Sequence, residues 1–409
     1  MYKTILEYGK VIGQQTLETI FRIAERLSDK RIKMINSTAV GGGVAEILNR
    51  LVPLLNELGV ETHWEVIKGN DEFFNITKTI HNSLHGKDES LTPDMEETFL
   101  EFNRANAREM SFDEDYIFIH DPQPLALIEW GKKQTAKWIW RCHIDVSSPY
   151  EPVWNFIKSY VERYNVSIFS APSFARNLKI PQYQISPSID PLSVKNREVN
   201  PSEIENLLQK YDIDPDRPII TQISRFDKLK DPLGVIETYK LVKKSIDCQL
   251  ILAGGTATDD PESMEILPQV LSRAEEDPDI HIIALPPNSD LGVNILQRAS
   301  TIVLQKSLKE GFALTVTEAL WKKKPVVASA VGGIPLQVIH NHTGLLVHSI
   351  EGAAYKIRYL LSNPGLAKRF GENGYQHVRH NFLITRHIRD YLLLLIALNH
   401  PDQKIINLG

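Results

Sequence analysis

Two short segments, each carrying charged groups at close spacing, hold most of the chemistry legible in this sequence. The first is Lys309–Leu320 (KEGFALTVTEAL), which follows the apolar run TIVLQKS (301–307) and opens a helix. Gly311 lets the backbone approach a ligand closely, and the amides from Gly311 through Phe312 and Ala313 to Leu314 can point at an anion. Glu310 precedes the helix, and Glu318 lies roughly two turns into it. At this spacing both acids can face one cleft and accept hydrogen bonds from sugar hydroxyls. Taken alone, Glu318 reads better as a solvated helix acid, and Glu310 as an acid that favours a helix N-terminus; the neighbouring motifs reverse that weighting. The second segment is SRFDKLKD (224–231), at the end of the run PIITQIS (218–224). Arg225 and Lys230 fall in a loop of the kind that faces ligand in parallel α/β sheets. Two fixed cations there can neutralise a departing diphosphate. Singly, Lys228 and Lys230 are ordinary charges of a polar loop.

The N-terminal half offers a second group of candidates. The glycine-rich turn Thr38–Ala45 (TAVGGGVA) places Gly41, Gly42 and Gly43 between a strand and a helix, where backbone can cradle a phosphate or meet a sugar. It is not G-x-G-x-x-G, and no acid closes the following strand HWEVIKG (63–69), so a dinucleotide site is disfavoured. IHDPQPL (119–125) and WRCHIDVSSP (140–149) end strands with polar groups. His120, Asp121, Gln123, His143 and Asp145 are therefore candidates for sugar hydroxyls.

These residues need strands to carry them. RIKMINST (31–38), HWEVIKG (63–69), YIFIHD (116–121), WIWRCHI (138–144) and VSIFSAP (166–172) read as strands, with helices such as 44–58 and 152–164 between them. The segment 185–201 (ISPSIDPLSVKNREVNP) is rich in Pro, Ser and Asn and reads as an exposed connection. The alternation then resumes with strands at 218–224, 248–255, 280–286, 301–307 and 325–330. The expected fold is α/β, with two Rossmann-like doubly wound domains facing each other across a cleft. The first takes residues 1–190, with 381–409 packing back on it, and the second 191–380. A helix from about Ile384, apolar over YLLLLIAL (391–398), would make that return; its apolar run is about half the length a bilayer span needs.

Composition agrees with a two-domain protein in water: 409 residues, 42% hydrophobic and 24% charged, with a formal charge of −5. No basic excess suits nucleic acid. Two distant cysteines, Cys142 and Cys248, argue against a disulfide scaffold and for a reducing cytoplasm. The N-terminal MYKTILEYGKVIGQQ lacks the apolar core of a secretory signal, and no membrane segment is expected.

Arg225 with Lys230 five residues on, and E-G-F-A-L-x-x-x-E from Glu310 to Glu318, together resemble family 4 of the retaining glycosyltransferases, which have the GT-B fold. The GGIP run Gly332–Pro335 is similar to that family as well. Asp231 departs from it, because a glycine usually follows the lysine. The resemblance implies that Arg225 and Lys230 hold a diphosphate, that Glu310 binds the transferred sugar, and that Glu318 binds the nucleotide ribose. IHDPQPL and WRCHIDVSSP, with NITKTIHNSLHG (75–86), resemble trehalose synthases of the glycosyl-transferring type and the related trehalose phosphorylases. By that resemblance Asp121 lies near the acceptor and His143 near the donor sugar. Asn82 and His85 receive no role.

The resemblance implies transfer of glucose from an NDP-glucose to free glucose, giving α,α-trehalose and NDP with retention. The alternatives are a retaining trehalose phosphorylase, a sugar-nucleotide epimerase and a non-catalytic sensor. The expected partners are these small substrates, with neither nucleic acid nor membrane, and a homodimer is left open. No cofactor is expected. The D-x-D segments at 113–115, 212–214, 214–216 and 277–279 precede strands in turn-like sequence, and fixed cations make a metal unnecessary. Free glucose is favoured over glucose 6-phosphate as acceptor, because TAVGGGVAE and IHDPQPL contain neither lysine nor arginine. Arg141, two positions before His143, is the cation that strand alternation can bring to the same side.

Overall fold

The computed structural model describes residues 4–40, 42–131, 135–255, 261–274, 277–286 and 289–403. The chain divides into two units, Met1–Ser188 with Ile384–Gly409, and Ile189–Leu383. Each unit is built on one six-stranded parallel sheet with helical crossovers.

In the first unit the strands are β1 (Arg31–Asn36), β2 (Glu61–Val66), β3 (Tyr116–His120), β4 (Lys137–Cys142), β5 (Val166–Phe169) and β6 (Gln182–Gln184), in the order β2-β1-β3-β4-β5-β6. β3 and β5 are buried throughout, as expected of central parallel strands covered on both faces. The C-terminal helix Ile384–Asn399 packs on the helices Gln14–Glu25 and Gly42–Glu57 of this unit. Its Tyr391, Leu392, Leu394, Leu395 and Ile396 are buried, so the apolar run serves the core of this unit. Among the described residues no helix is long and apolar enough to cross a membrane.

The second unit carries β7 (Ile219–Ile223), β8 (Gln249–Gly255), β9 (Ile280–Leu285), β10 (Ile302–Gln305), β11 (Val326–Ser329) and β12 (Gly344–Val347), in the order β12-β11-β10-β7-β8-β9. Alternate residues sort to opposite faces. Leu250 and Leu252 of β8 join one apolar cluster with Val235, Tyr239 and Ile357, while Ile251 and Ala253 join another with Leu208 and Leu296. Helices therefore cover both faces.

Two strands differ from the sequence reading by being present at all. β6 is three residues (QYQ) without an apolar run, and β12 (GLLV) is a short edge strand behind a polar turn. The connection after residue 184 is also less exposed than its composition implies. Ile185, Ser188, Ile189 and Asn196 are buried. Asn294 Nδ2 donates to the carbonyls of Val194 and Arg197, at 2.8 Å each, which satisfies backbone that would otherwise need water. Cys142 and Cys248 are both free and buried.

Candidate functional site

In the second unit, two loops at the carboxyl ends of neighbouring strands are tied together. Gln222, the penultimate residue of β7, donates from Nε2 to the Lys230 carbonyl at 2.8 Å, and its Oε1 accepts the Lys306 amide at 2.8 Å. The loop after β7 thus cannot move without the loop after β10. Across this junction Lys230 Nζ reaches Glu310 Oε2 at 2.5 Å. Ser307 Oγ donates to the same oxygen at 3.1 Å and itself accepts from Gln305 Nε2 at 2.9 Å. Thr315 Oγ1 donates to Gln305 Oε1 at 3.2 Å. A chain of three polar side chains, with Lys230 on the other side, therefore fixes the Glu310 carboxylate, and its far end lies in the helix Leu314–Trp321.

Arg225 is held from below by Asp227, whose Oδ2 is 3.0 Å from a guanidinium nitrogen. Asp227 is buried, and its Oδ1 also accepts the Lys230 amide at 3.0 Å, capping the short turn Lys228–Lys230. One acid thus pairs with the Arg225 guanidinium and fixes the backbone from which Lys230 projects. The sequence reading missed this residue, although an Asp three positions before Lys230, in a turn-forming stretch, was the available signal.

Asp231 explains its own departure from the glycine pattern. It adopts the left-handed conformation, φ 49° and ψ 51°, that glycine would occupy without strain. Its carboxylate caps the helix Pro232–Lys243 by accepting the Gly234 amide at 3.1 Å, and it pairs with Lys306 Nζ at 3.0 Å. The loop therefore keeps the glycine-like geometry and gains a second bridge to the β10 loop. Gly332 is a true glycine position: φ is 54°, and a Cβ would sit 1.6 Å from the Glu310 carbonyl. The Gly333 amide donates to the Gly311 carbonyl at 3.1 Å. The GGIP run thus serves as the floor on which the Glu310–Phe312 backbone rests.

Beyond Glu310, Gly311 and Leu314 are half-buried, whereas Phe312 and Ala313 are buried. The Phe312 ring meets Phe382 edge-on at 5.6 Å, so this residue turns its side chain to the core and leaves only backbone for a ligand. Ala313 has φ 69° and leads into the helix without a side-chain cap. Glu318 is 2% exposed, which removes the solvated-acid alternative. Its Oε1 lies 3.9 Å from Lys195 Nζ and its Oε2 3.5 Å from Gln297 Nε2. Beneath it Lys322 donates to Gln297 Oε1 at 2.8 Å and Asn196 Oδ1 at 2.9 Å, and burial pushes its ammonium down to about 7.

In the first unit, the ends of β3 and β4 bring Asp121 and His143 together. Asp121 has φ 63°; its amide donates to the Arg141 carbonyl at 2.9 Å, and its Oδ1 accepts the His143 amide at 2.7 Å. Burial raises the Asp121 carboxyl to about 7, against the His143 N–H and the Arg141 charge, which both favour ionisation. His143 Nε2 is 3.1 Å from His120 Nδ1 with the two rings stacked at 5.4 Å. Burial first, and Arg141 next, hold the His143 imidazole well below its ordinary value.

The other first-unit candidates are less engaged. The Gln123 carbonyl accepts from Asn103 Nδ2 at 3.1 Å, and Asp145 Oδ1 accepts the Ser147 amide at 2.9 Å, a turn role. Gly42, with φ 76°, and Gly43 are exposed and open the helix Gly42–Glu57, while Gly41 lies outside the described residues. Arg141 is fully buried and presents no surface to an acceptor phosphate. Of the D-x-D segments, Asp279 is taken up by Arg217 and Lys243 at 2.6 Å each, and Asp115 accepts the Arg31 amide at 2.9 Å. Among the described residues no group of three or more His, Cys, Asp or Glu is placed to hold a metal ion.

Residues 34–176 match the family described as trehalose synthase, N-terminal domain, and residues 203–377 match glycosyl transferases group 1. The trehalose synthase of Thermococcus litoralis is 45% identical over 400 residues, which cover 96% of this chain and 97% of that one. The chain belongs to the trehalose synthase family. The trehalose synthase of Rubrobacter xylanophilus is 39% identical, over 97% of each chain. A trehalose phosphorylase of Grifola frondosa is 30% identical over 85% of this chain but only 54% of its own length.

The sucrose-phosphate synthase of Thermosynechococcus elongatus superposes with a TM-score of 0.71 at 19% identity, over 91% of this chain and 100% of that one. This likeness carries the fold alone, and the fold is GT-B. As a trehalose synthase family member and a group 1 glycosyltransferase, the chain brings two kinds of chemistry to its two units. The second unit offers cations and backbone amides beside two buried acids, Glu310 and Glu318. The first offers a carboxyl titrating near neutrality beside an uncharged imidazole.

Proposed function

We propose that the chain transfers glucose from an NDP-glucose to free glucose, forming α,α-trehalose and NDP with retention at the donor anomeric carbon. The observation that carries this reading is the Lys230–Glu310 pair with Arg225 on the same loop, in a chain whose relatives at 39–45% identity are named trehalose synthase. On this reading the diphosphate takes Lys230 from Glu310, and the freed carboxylate accepts hydroxyls of the transferred sugar. Arg225 and the amides after Glu310 stabilise the negative charge that develops on the departing diphosphate. Glu318 takes the ribose hydroxyls.

No side chain of this set is assigned as a covalent nucleophile. The bond from C1 to the phosphate oxygen breaks as the bond from C1 to the acceptor oxygen forms on the same face. The acceptor proton passes to a leaving phosphate oxygen, so that NDP departs protonated there. The chain's contribution is orientation and charge stabilisation. His143, uncharged, hydrogen-bonds the transferred hexose, and Asp121 with Gln123 receives the acceptor. Residues 1–190 with 381–409 serve as the acceptor domain and 191–380 as the donor domain, in a cytoplasmic enzyme that needs no cofactor.

The second reading, a retaining trehalose phosphorylase, is favoured by the 30% identity to the Grifola frondosa protein. Incubating trehalose with either NDP or orthophosphate separates the two. Transfer predicts NDP-glucose formation with NDP and no glucose 1-phosphate with orthophosphate; the reverse pattern refutes transfer.

A further inference from the structure

Between the first sheet and the C-terminal helix lies a buried cluster of cationic and imidazole groups that the transfer scheme does not use. β3 and β4 run in register with His120 beside Arg141 and Phe118 beside Ile139. Phe118, His120 and Arg141 therefore share one face of the sheet. The C-terminal helix covers that face: Tyr391 stacks on Phe118 at 5.0 Å, and His387 meets Tyr391 edge-on at 4.5 Å. Arg141 is fully buried, and all three of its guanidinium nitrogens lack a hydrogen-bond partner among the described residues. So does Nε2 of His120. Arg141 also lies close to the Tyr391 phenol, where its charge and N–H counter the upward push of burial.

The remaining charged groups around the cluster each have at least one partner, although Arg386 Nε and His387 Nε2 have none among the described residues. Arg386 is held by Asp390 at 3.0 Å and by the Ser186 carbonyl at 2.6 Å, and His387 Nδ1 meets Ser188 Oγ at 2.9 Å. Asp121 Oδ1 is occupied by the His143 amide. Arg141 is thus a permanent cation with donors only, set beside an imidazole whose Nε2 is unclaimed.

Beside a permanent cation an unpartnered ring N–H is disfavoured relative to a lone pair, so His120 keeps its lone pair on the unclaimed Nε2 and its proton on Nδ1, the nitrogen that has a partner. That proton points at His143 Nε2, 3.1 Å away, which makes His120 the donor and His143 the acceptor. We propose that Arg141, acting through His120, fixes His143 as the Nδ1–H tautomer, so that its second ring nitrogen offers a donor to substrate. Arg141 and His120 are positioning residues in this scheme. Burial and the Arg141 charge keep both rings uncharged, with His120 lowered to about 3. The consequence for transfer rests on the reading that His143 meets the transferred hexose. A neutral donor there binds a sugar oxygen without adding a positive charge beside a carbon that is itself becoming positive.

The test is ¹⁵N-histidine NMR of the full-length chain at neutral pH, with His120→Asn and His143→Asn spectra for assignment. The expected spectrum shows His143 with Nε2 in the unprotonated range and Nδ1 in the protonated range. In Arg141→Met the His143 Nε2 resonance is expected to shift toward the protonated range. His143 protonated at Nε2 in the unsubstituted chain overturns the proposal, whether or not the variant folds. An unchanged His143 spectrum in a folded Arg141→Met overturns the role of Arg141. No substrate is needed, so a failed tautomer leaves the transferase reading intact, and a failed transferase assay leaves the tautomer result intact.

Discussion

Lys230 and Glu310, 80 residues apart in sequence, are paired with each other through a 2.5 Å contact between Nζ and Oε2. The cation proposed for the diphosphate and the acid proposed for the sugar thus hold one another. On the proposed function, binding exchanges this internal ion pair for two contacts to one ligand. Glu310→Gln removes the competing charge and leaves Lys230 free. The expected outcome is NDP binding at least as tight as in the unsubstituted chain, measured by calorimetry, with turnover down by about a hundredfold. Weaker NDP binding in this variant would mean that Lys230 does not meet the diphosphate.

Direct removal of the cations gives the complementary result. Arg225→Ala and Lys230→Ala are each expected to lower kcat by roughly two to three orders of magnitude with unchanged circular dichroism. Near-normal rates in both variants would remove the diphosphate assignment.

Asp227 supplies a prediction the motif alone does not contain. Asp227→Asn keeps an oxygen for the Lys230 amide and drops the charge that orients Arg225. KM for the nucleotide sugar is expected to rise about tenfold, a loss of about 1.4 kcal/mol, with a smaller change in kcat. A fall in kcat at constant KM would assign Asp227 to the chemical step instead.

The amount of this arrangement legible in the sequence follows from its physics. Buried strands such as YIFIH and WIWRC announce themselves as apolar runs, and the charged motif after each of β7 and β10 stands out against them. What stayed hidden are pairings set by register and by neighbouring strand ends. Nothing local in WRCHID says that Arg141 sits beside His120, or in TIVLQKS that Ser307 and Gln305 brace Glu310. Asp231 is the instructive case, since an acid in place of glycine keeps the left-handed turn because helix capping and Lys306 compensate it.

Asp121 yields a pH-dependent prediction. Its folded-state carboxyl is raised to about 7 from 3.8. The carboxyl therefore costs no stability below its unfolded value, and the cost of burying its charge grows as pH rises toward about 7. Asp121→Asn, which keeps an oxygen for the His143 amide, is expected to raise Tm at pH 8 by about a few degrees and to leave it unchanged near pH 3. The same variant is expected to lose transfer activity at every pH. Equal Tm differences at both pH values would contradict the raised carboxyl.

The product itself decides whether the chain transfers glucose to free glucose. The purified chain is incubated with UDP-, ADP- or GDP-glucose and either glucose or glucose 6-phosphate, in excess EDTA, and the disaccharide is identified by its anomeric NMR signals. The expected product is α,α-trehalose from free glucose with at least one nucleotide, undiminished by the chelator, with a lower kcat/KM for glucose 6-phosphate. Preferential formation of trehalose 6-phosphate, or no disaccharide until a divalent metal is restored, would contradict the proposed reaction.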